Sequence, residues 1–289
     1  MKAIRLLYPQ WQGGQIAHWL PEIEDTAEAS RGYSLGAELL DFLAPRTTAP
    51  TFTVPVSPEL AGRKVTAGVL DKEILLKQTR AALDILAVAD PEKIVTLGGE
   101  CSVSVAPFTF LSKKYGGDVA IVWLDAHPDI TLPGDVYPGY HAMAVTACLG
   151  KGDPDLLALL PAKFAPEKIL LVGLHDWERD EIVERQKRYG LKHMTPNDLA
   201  QNPSCVSEWL RTCGASKVLV HFDLDVLDPA EIVLAVGPSP GGLKMEQTAQ
   251  IITEIAEQKE LVGLTIAEPM PRRAILLKSL LAKLPLLGE

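Results

Sequence analysis

Apolar runs and amphipathic segments alternate along most of this chain. Almost fully apolar runs predict strands that are buried on both faces. These runs lie at residues 3–8, 93–97, 119–124, 168–174, 217–222 and 261–267. Apolar residues at i, i+3 and i+4 predict a long helix at 69–89. Further helices are predicted at 35–43, 180–189, 204–213, 245–258 and 272–284.

Strands that alternate with helices indicate an α/β fold, with a mostly parallel sheet covered on both faces. We expect one domain over residues 1–289, because no linker or repeat interrupts the pattern. Residues 9–32 mix polar and acidic side chains and predict a loop. Residues 50–58 alternate like a strand, and their prolines favour a position at the edge of the sheet.

Two of the apolar runs end in side chains that suit a metal ion. The run at 119–124 is followed by Asp125, His127 and Asp129, and the run at 217–222 by Asp223 and Asp225. Alternate residues of a strand share a face, and parallel strands place their carboxyl ends at one rim of the sheet. The pattern predicts a metal centre with oxygen and nitrogen ligands at that rim.

Composition excludes some partners. The 289 residues are 47% hydrophobic and 22% charged, with a net charge of -9. This charge argues against nucleic acid or an anionic membrane surface as a partner. No apolar run reaches the roughly 20 residues that a transmembrane helix needs. The four cysteines form no CxxC pair, so we expect a reducing, cytoplasmic location.

The motifs together resemble the arginase/agmatinase (ureohydrolase) family over about residues 93–270. The motifs that carry the resemblance are GGEC at 98–101, DAHPD at 125–129, His141 in HAM, FDLDVLDP at 222–229 and Glu268. The resemblance implies a three-layer α/β/α fold. It also implies two divalent ions, usually Mn²⁺, with a bridging hydroxide that attacks a guanidinium-type carbon.

The resemblance also implies a role for each motif residue. Asp125 and Asp223 would bridge the two ions. Asp129 and Cys101 would complete the ligands of one ion, and His127 and Asp225 those of the other. The residues expected to take part in catalysis are His141 as the acid/base, Glu268 as the partner of the guanidinium or amidinium group, and Asp129.

Cys101 departs from the family pattern, which is usually GGDHS with a histidine ligand in its place. A thiolate adds a negative charge where the family has a neutral imidazole, and should raise the pKa of the bridging water. A sulfur ligand also shifts preference from Mn²⁺ toward Zn²⁺, Fe²⁺, Ni²⁺ or Co²⁺. Cys101 therefore binds a different metal pair, stays a thiol beside a weak or absent ion, or marks a degenerate site. A buried structural cysteine is the alternative.

Other positions leave two interpretations each. His221 can share the face of Asp223, and is either a polar core residue of the strand or part of the metal centre, as a replacement nitrogen donor or as a residue that supports the ligands. The acidic residues Asp176, Glu178 and Glu181 either bind a distal amine or form a solvated turn before a helix. Ile130 and Thr131 stand where arginases hold the amino-acid head group, so L-arginine is not the favoured substrate.

We expect a metal-dependent hydrolase of non-peptide C–N bonds in small cationic guanidino compounds or linear amidines. The alternative is a degenerate family member that acts as a binding or regulatory protein, which GGECS favours and the retained aspartates oppose. A deacetylase-like zinc hydrolase on a related fold would need one metal and other ligands. The family resemblance further implies a homo-oligomer, a trimer or hexamer.

Overall fold

The computed structural model describes residues 2–21, 23, 25–60 and 62–271. The strands within these residues are β1 (Ala3–Tyr8), β2 (Thr51–Thr53), β3 (Val65–Thr66), β4 (Val69–Leu70), β5 (Lys93–Gly98), β6 (Val119–Leu124), β7 (Ile169–Val172), β8 (Lys192–Met194), β9 (Lys217–Asp223) and β10 (Glu260–Ala267). Eight of them form one sheet in the order β2-β1-β5-β10-β9-β6-β7-β8. Every pair in this sheet is parallel, which confirms the predicted α/β class.

Helices cover both faces of the sheet. Those in the described residues are α1 (Thr26–Leu43), α2 (Lys72–Ala89), α3 (Val105–Lys114), α4 (Ala144–Cys148), α5 (Pro154–Leu159), α6 (Asp180–Tyr189), α7 (Pro196–Gln201), α8 (Cys205–Thr212) and α9 (Met245–Gln258). No helix in the described part of the chain combines the length and the apolar character that crossing a membrane requires.

Strand β6 shows how the three layers form. All of its residues are buried. Val119, Ile121 and Trp123 pack into the core that also contains residues of α2 and α3. The alternate residues of β6 pack into a second core with residues of α8 and α9. Because successive side chains point to opposite faces, a fully apolar strand can serve two cores at once.

The structure corrects the predicted start of the first helix. The sequence predicted a loop over 9–32 and a helix from 35, but α1 begins at Thr26. The Asp25 carboxylate accepts hydrogen bonds from the amides of Ala27 and Glu28, which is a strong helix start. Small and polar residues in the first half of α1 conceal the apolar spacing. The helix predicted at 272–284 lies outside the described residues.

The predicted helix at 69–89 and strand at 50–58 are shorter in the structure. Val69–Leu70 is strand β4, and α2 starts only after Asp71, whose φ of 51° breaks the helical path. Strand β2 covers Thr51–Thr53 and lies at the edge of the sheet, as its prolines indicated.

The site is positioned by four adjacent strands, β5, β10, β9 and β6. Their carboxyl ends lead into Cys101, Glu268, Asp223 and Asp125 respectively. Gly99 allows β1 and β5 to end side by side. A Cβ atom there would lie 1.8 Å from the carbonyl oxygen of Gln10, so no larger residue fits.

The long loop between β6 and α4 is tied to the fold by an ion pair. The guanidinium of Arg185 on α6 donates two hydrogen bonds to the Asp135 carboxylate, one of them at 2.9 Å, and a third to the Ile130 carbonyl at 3.0 Å. Burial alone would raise the pKa of Asp135, but Arg185 and the Leu132 amide outweigh it and lower that pKa.

We expect Asp135→Asn to lower the free energy of unfolding by about 2 kcal/mol at pH 7, because it removes a charged partner of Arg185. A carboxyl group whose pKa is lowered on folding stabilises the protein above its unfolded pKa. The difference from wild type should therefore shrink as the pH falls below about 4. Urea unfolding at several pH values measures it.

Lys187→Gln is the matched control, since Lys187 pairs with Glu184 and both side chains are more than 60% exposed, at 67% and 70%. Its effect should stay below about 1 kcal/mol. Equal destabilisation by both variants would contradict the assigned role of the Asp135–Arg185 pair.

Candidate metal centre

Asp125 follows the last residue of β6 and is 1% exposed. Its Oδ2 accepts a hydrogen bond from the indole Nε1 of Trp123 at 2.9 Å, and its Oδ1 accepts one from the His127 amide at 2.6 Å. Both donors lie within two residues of Asp125 along the chain. The end of the strand therefore fixes this carboxylate through local contacts.

Asp223 and Asp225 stand at the end of the neighbouring strand, β9. The Asp225 amide donates to Asp223 Oδ1 at 2.7 Å. The carboxylate of Asp225 reaches across to the other strand end, where its Oδ1 accepts from the Ala126 amide at 3.1 Å and its Oδ2 lies 2.9 Å from His127 Nδ1. The two strand ends thus form one hydrogen-bonded unit.

Asp129 adds a carboxylate that lacks a hydrogen-bond partner. It is 6% exposed, and its Oδ2 is buried without a hydrogen bond. Its backbone φ of 49° lies in the left-handed region, and its carbonyl accepts from the Val145 amide at 3.0 Å. An oxygen that is buried and unpaired costs free energy unless a cation meets it.

Cys101 begins a short 3₁₀ helix, Cys101–Ser104, directly after β5. Its Sγ lies 2.8 Å from Asp223 Oδ2 and 3.5 Å from Glu268 Oε1. The side chain is 2% exposed. Burial and the charges of Asp223 and Asp129 raise the pKa of this thiol well above its usual value. Cys101 is therefore buried, as expected for a structural cysteine, and it also lies within the predicted metal site.

His141 and Glu268 form a pair beside this unit. His141 Nδ1 lies 3.1 Å from Glu268 Oε1, which also accepts from the Cys101 amide at 3.1 Å. The hydroxyl of Tyr137 lies 2.6 Å from His141 Nε2. Glu268 has a φ of 62°, and its amide donates to the Gly99 carbonyl at 2.7 Å. The backbone of Glu268 is thus held in a strained conformation, and its carboxylate lies against His141.

The pKa shifts of the clustered side chains indicate an excess of negative charge. Burial, together with neighbouring carboxylates, raises the pKa values of Asp125, Asp129 and Asp223. Burial alone would lower the pKa of His127, but Asp225 and Asp125 outweigh it and raise that pKa. The raised aspartate pKa values reflect burial first and repulsion between neighbouring acidic groups second, and a bound divalent cation would offset both.

The donor set fits a divalent metal. Ligand atoms of Asp125, His127 and Asp225 lie within 4.8 Å of one another, and so do those of Cys101, Asp125, His221 and Asp223. Both groups include Asp125. Carboxylate and imidazole donors suit Mn²⁺, and a thiol widens the choice to softer ions.

A pocket of about 250 Å³ opens onto this cluster. Its lining includes Cys101, His127, Asp129, Asp223, Asp225, His141 and Glu268, whereas the buried Asp125 does not line it. The rest of its lining is rich in apolar and aromatic side chains, which include Ile16, Trp19, Tyr33, Val136, Tyr137, Trp177 and Val236. No motif in the sequence marks these residues, which come from loops and from the first half of α1, where the sequence predicted a loop.

The acidic residues after β7 separate in the structure. Glu178 lines the pocket, and Asp176 Oδ2 lies 3.9 Å from His127 Nε2 and accepts from Ser239 Oγ at 2.5 Å. Glu181 instead pairs with Arg179 at 3.0 Å, and its side chain is 51% exposed. Of the three acids, Glu181 therefore fits the alternative of a solvated turn before a helix. Asp176 and Glu178 lie at or near the pocket.

Comparison with known proteins decides the family. Residues 52–282 match the sequence pattern of the arginase family, which is most of the chain. This chain belongs to the arginase family.

Its arginase relatives match over part of their length. The arginase of Entamoeba histolytica is 28% identical over 186 residues, which cover 62% of each chain. That of Eremothecium gossypii is 30% identical over 197 residues, which cover 62% of this chain and 47% of the relative. The chain thus matches less than two thirds of the length of either relative.

Two solved structures share the fold. The Entamoeba histolytica arginase in complex with L-ornithine has a TM-score of 0.77 at 19% identity, and 95% of each chain is covered. The formimidoylglutamase of Bacillus subtilis has a TM-score of 0.67 at 16% identity, with 96% of this chain and 85% of that chain covered.

We expect Asp129→Asn to stabilise the metal-free protein by about 1 kcal/mol at pH 8, because it removes a buried unpaired charge. Asparagine tolerates the left-handed backbone of this position. Since folding raises the pKa of Asp129, its carboxyl group destabilises the folded state increasingly as the pH rises above about 4. The gain, measured by thermal unfolding with a chelator, should be larger at pH 8 than at pH 5.

The same variant should respond less to added metal. Mn²⁺ at 100-fold excess over its Kd should raise wild-type stability by about 2.7 kcal/mol, and Asp129→Asn should gain less. Asp84→Asn, at an exposed position of α2, is the control and should match wild type in both measurements. A wild-type melting temperature that is insensitive to every divalent ion would contradict the assignment.

Proposed function

We propose that this chain is a metal-dependent hydrolase that cleaves a non-peptide C–N bond in a linear amidine or guanidino compound. One observation carries the proposal. His127 and three buried carboxylates at the ends of β6 and β9 line the same pocket as the His141–Glu268 pair. These carboxylates are Asp129, Asp223 and Asp225. Membership of the arginase family supports the same reaction class.

In this proposal two divalent ions, Mn²⁺ by family resemblance, are held by one set of side chains. These are Cys101, Asp125, His127, Asp129, Asp223 and Asp225. Bound ions supply positive charge that generates hydroxide near neutral pH. Cys101 widens the choice of metal to Zn²⁺, Fe²⁺, Ni²⁺ or Co²⁺. The carboxylates cluster at a cost in stability that a bound cation would offset, which supports their role as ligands.

Glu268 is proposed to bind the planar cation of the substrate. It is 3% exposed, lines the pocket, and is held by the Cys101 amide and His141. A fixed carboxylate can pair with an amidinium group through two parallel hydrogen bonds. Orientation by the protein means that little side-chain entropy is lost when the substrate binds.

His141 is proposed to give a proton to the leaving amine. Burial alone would lower the pKa of His141, but the adjacent Glu268 carboxylate and its hydrogen bond raise it. The imidazole therefore keeps its proton at higher pH than a free histidine and can act as an acid near neutrality. Tyr137 holds Nε2 at 2.6 Å, which orients the ring toward the pocket.

The lining of the pocket supports a substrate other than L-arginine. Ile130 and Thr131, which stand where the family resemblance places the amino-acid head group, line the pocket, and much of its lining is apolar or aromatic. A volume of about 250 Å³ suits a small linear compound. We propose an uncharged or weakly polar tail on the substrate, since Glu178, an acid of the pocket lining, already pairs with Arg179 at 3.6 Å.

We also propose a cytoplasmic location and a homo-oligomeric assembly. All four cysteines are free thiols, which supports a reducing, cytoplasmic compartment. The family resemblance supports a homo-oligomer, a trimer or hexamer, which light scattering on the purified protein measures directly.

A binding or regulatory protein is the second candidate, because Cys101 replaces the expected histidine. In the structure its thiol lies 2.8 Å from Asp223 Oδ2, so this oxygen already has a partner without any ion. A family member that has lost its metal would keep such a contact and still bind a cationic ligand through Glu268.

We expect the purified protein to release urea or the corresponding amide, together with an amine, from a member of a linear amidine and guanidino panel. A chelator should abolish the activity, and added Mn²⁺ or Co²⁺ should restore it. His141→Asn should lower kcat by about 10²- to 10⁴-fold, because the leaving amine loses its proton donor. Glu268→Gln should chiefly raise KM.

His193→Asn is the control for the histidine change, since His193 lies on β8 and its Nδ1 lies 2.8 Å from Gln186 Nε2, outside the pocket. It should leave kcat and KM unchanged. Turnover that is unaffected by His141→Asn would rule out the proposed acid.

Metal content separates the two candidates. We expect elemental analysis of protein prepared without chelators to find about two divalent ions per chain, as a two-metal hydrolase requires. Little bound metal in wild type, together with tight binding of a guanidino compound in calorimetry, would favour the binding protein. Cys101→His tests the cause, because it should restore metal if the thiol had displaced it.

A further inference from the structure

His221 occupies a position that the proposed function leaves unused. It lies two residues before Asp223 on β9 and is 0% exposed. A ring nitrogen lies within 4.8 Å of ligand atoms from Cys101, Asp125 and Asp223. The described residues thus bring an imidazole to the group in which Cys101 takes the place of a histidine.

The ring of His221 is held rigidly. Its Nδ1 lies 2.8 Å from the hydroxyl of Ser104, which belongs to the same 3₁₀ helix as Cys101. Its face stacks on Trp123 of the neighbouring strand, with ring centroids 3.6 Å apart and planes 10° apart. Trp123 also donates to Asp125, so one indole orients both the imidazole and the carboxylate.

The second nitrogen of His221, Nε2, is buried and makes no hydrogen bond. A buried polar atom without a partner is unfavourable, and its presence needs a cause. Histidines that bind metals commonly donate a hydrogen bond from one ring nitrogen, which leaves a lone pair on the other. The contact of Nδ1 with Ser104 produces this arrangement when Nδ1 carries the proton.

We propose that His221 Nε2 is a ligand of the ion held by Cys101, Asp125 and Asp223, and supplies the imidazole that Cys101 lacks. This inference rests on the proposed metal-dependent function. A neutral donor adds no negative charge to a cluster that already contains several carboxylates. The family pattern has its histidine ligand after β5, whereas the proposed histidine ligand of this chain lies on β9, two strands away in the sheet.

A buried water is the competing occupant. Thr265 pairs with His221 in the register of β10 and β9, and its Oγ1 also lacks a partner. Thr96 pairs with Thr265 on the next strand, and its Oγ1 is unpaired as well. A water that joined these groups would satisfy Nε2 without any ion. The experiment must therefore report on the bond between nitrogen and metal.

The test uses the full chain, labelled with ¹⁵N-histidine and loaded with ¹¹³Cd²⁺ or Co²⁺ after removal of metal. With ¹¹³Cd²⁺, wild type should show one-bond nitrogen–cadmium coupling at His221 Nε2. In titrations with Co²⁺, His221→Asn should weaken the binding of one ion by at least about 10-fold and leave the other unchanged. His193→Asn should bind both ions as wild type does.

Each other outcome has a distinct meaning. Two ions bound at unchanged affinity in His221→Asn, with no nitrogen–cadmium coupling at His221 in wild type, would overturn the inference and assign Nε2 to water. Failure of wild type to bind any ion would instead overturn the metal-dependent function itself. Near-ultraviolet circular dichroism of the metal-free variants checks folding, and the wild-type coupling decides the matter if His221→Asn does not fold.

Discussion

Repulsion among buried carboxylates is the constraint around which this structure is arranged. Asp125 and Asp223 are each 1% exposed, and their pKa values are raised because burial and neighbouring acids disfavour their charged forms. The protein answers with local donors, among them the Trp123 indole and the amides of His127 and Asp225. The parallel pairing of β6 and β9 brings the ends of these strands together. Helices cover both faces of the sheet, so the carboxylates at these ends are buried.

Backbone strain accumulates at the same place. Asp129 and Glu268 both adopt positive φ, at 49° and 62°, although neither is glycine. Each is held there by a backbone hydrogen bond, from the Val145 amide to the Asp129 carbonyl and from the Glu268 amide to the Gly99 carbonyl. Strain of this kind typically costs about 1–3 kcal/mol per residue and persists where the surrounding structure determines the conformation. The site is thus a region of low intrinsic stability on a rigid sheet.

The sequence predicted the sheet class, the family and the carboxylates at the ends of β6 and β9, because these follow from local patterns of apolar and polar residues. It could not predict that Tyr33 lines the pocket, since the first half of α1 contains few apolar residues at helical spacing. Nor could it predict that His221 stacks on Trp123, because this contact depends on which strands are neighbours. The order β5-β10-β9-β6 is a property of the whole chain and leaves no periodic signal.

That strand order also determines when the site can exist during synthesis. The contact between Cys101 and Glu268 joins residues 167 positions apart, and that between His127 and Asp225 joins residues 98 apart. Closure of such long loops comes late in folding, since chain entropy opposes them until most of the sheet has formed. A nascent chain that has left the ribosome only as far as β9 therefore has its aspartates but neither Glu268 nor β10, the strand between β5 and β9. Complete assembly of the site therefore has to await the emergence of β10 and Glu268.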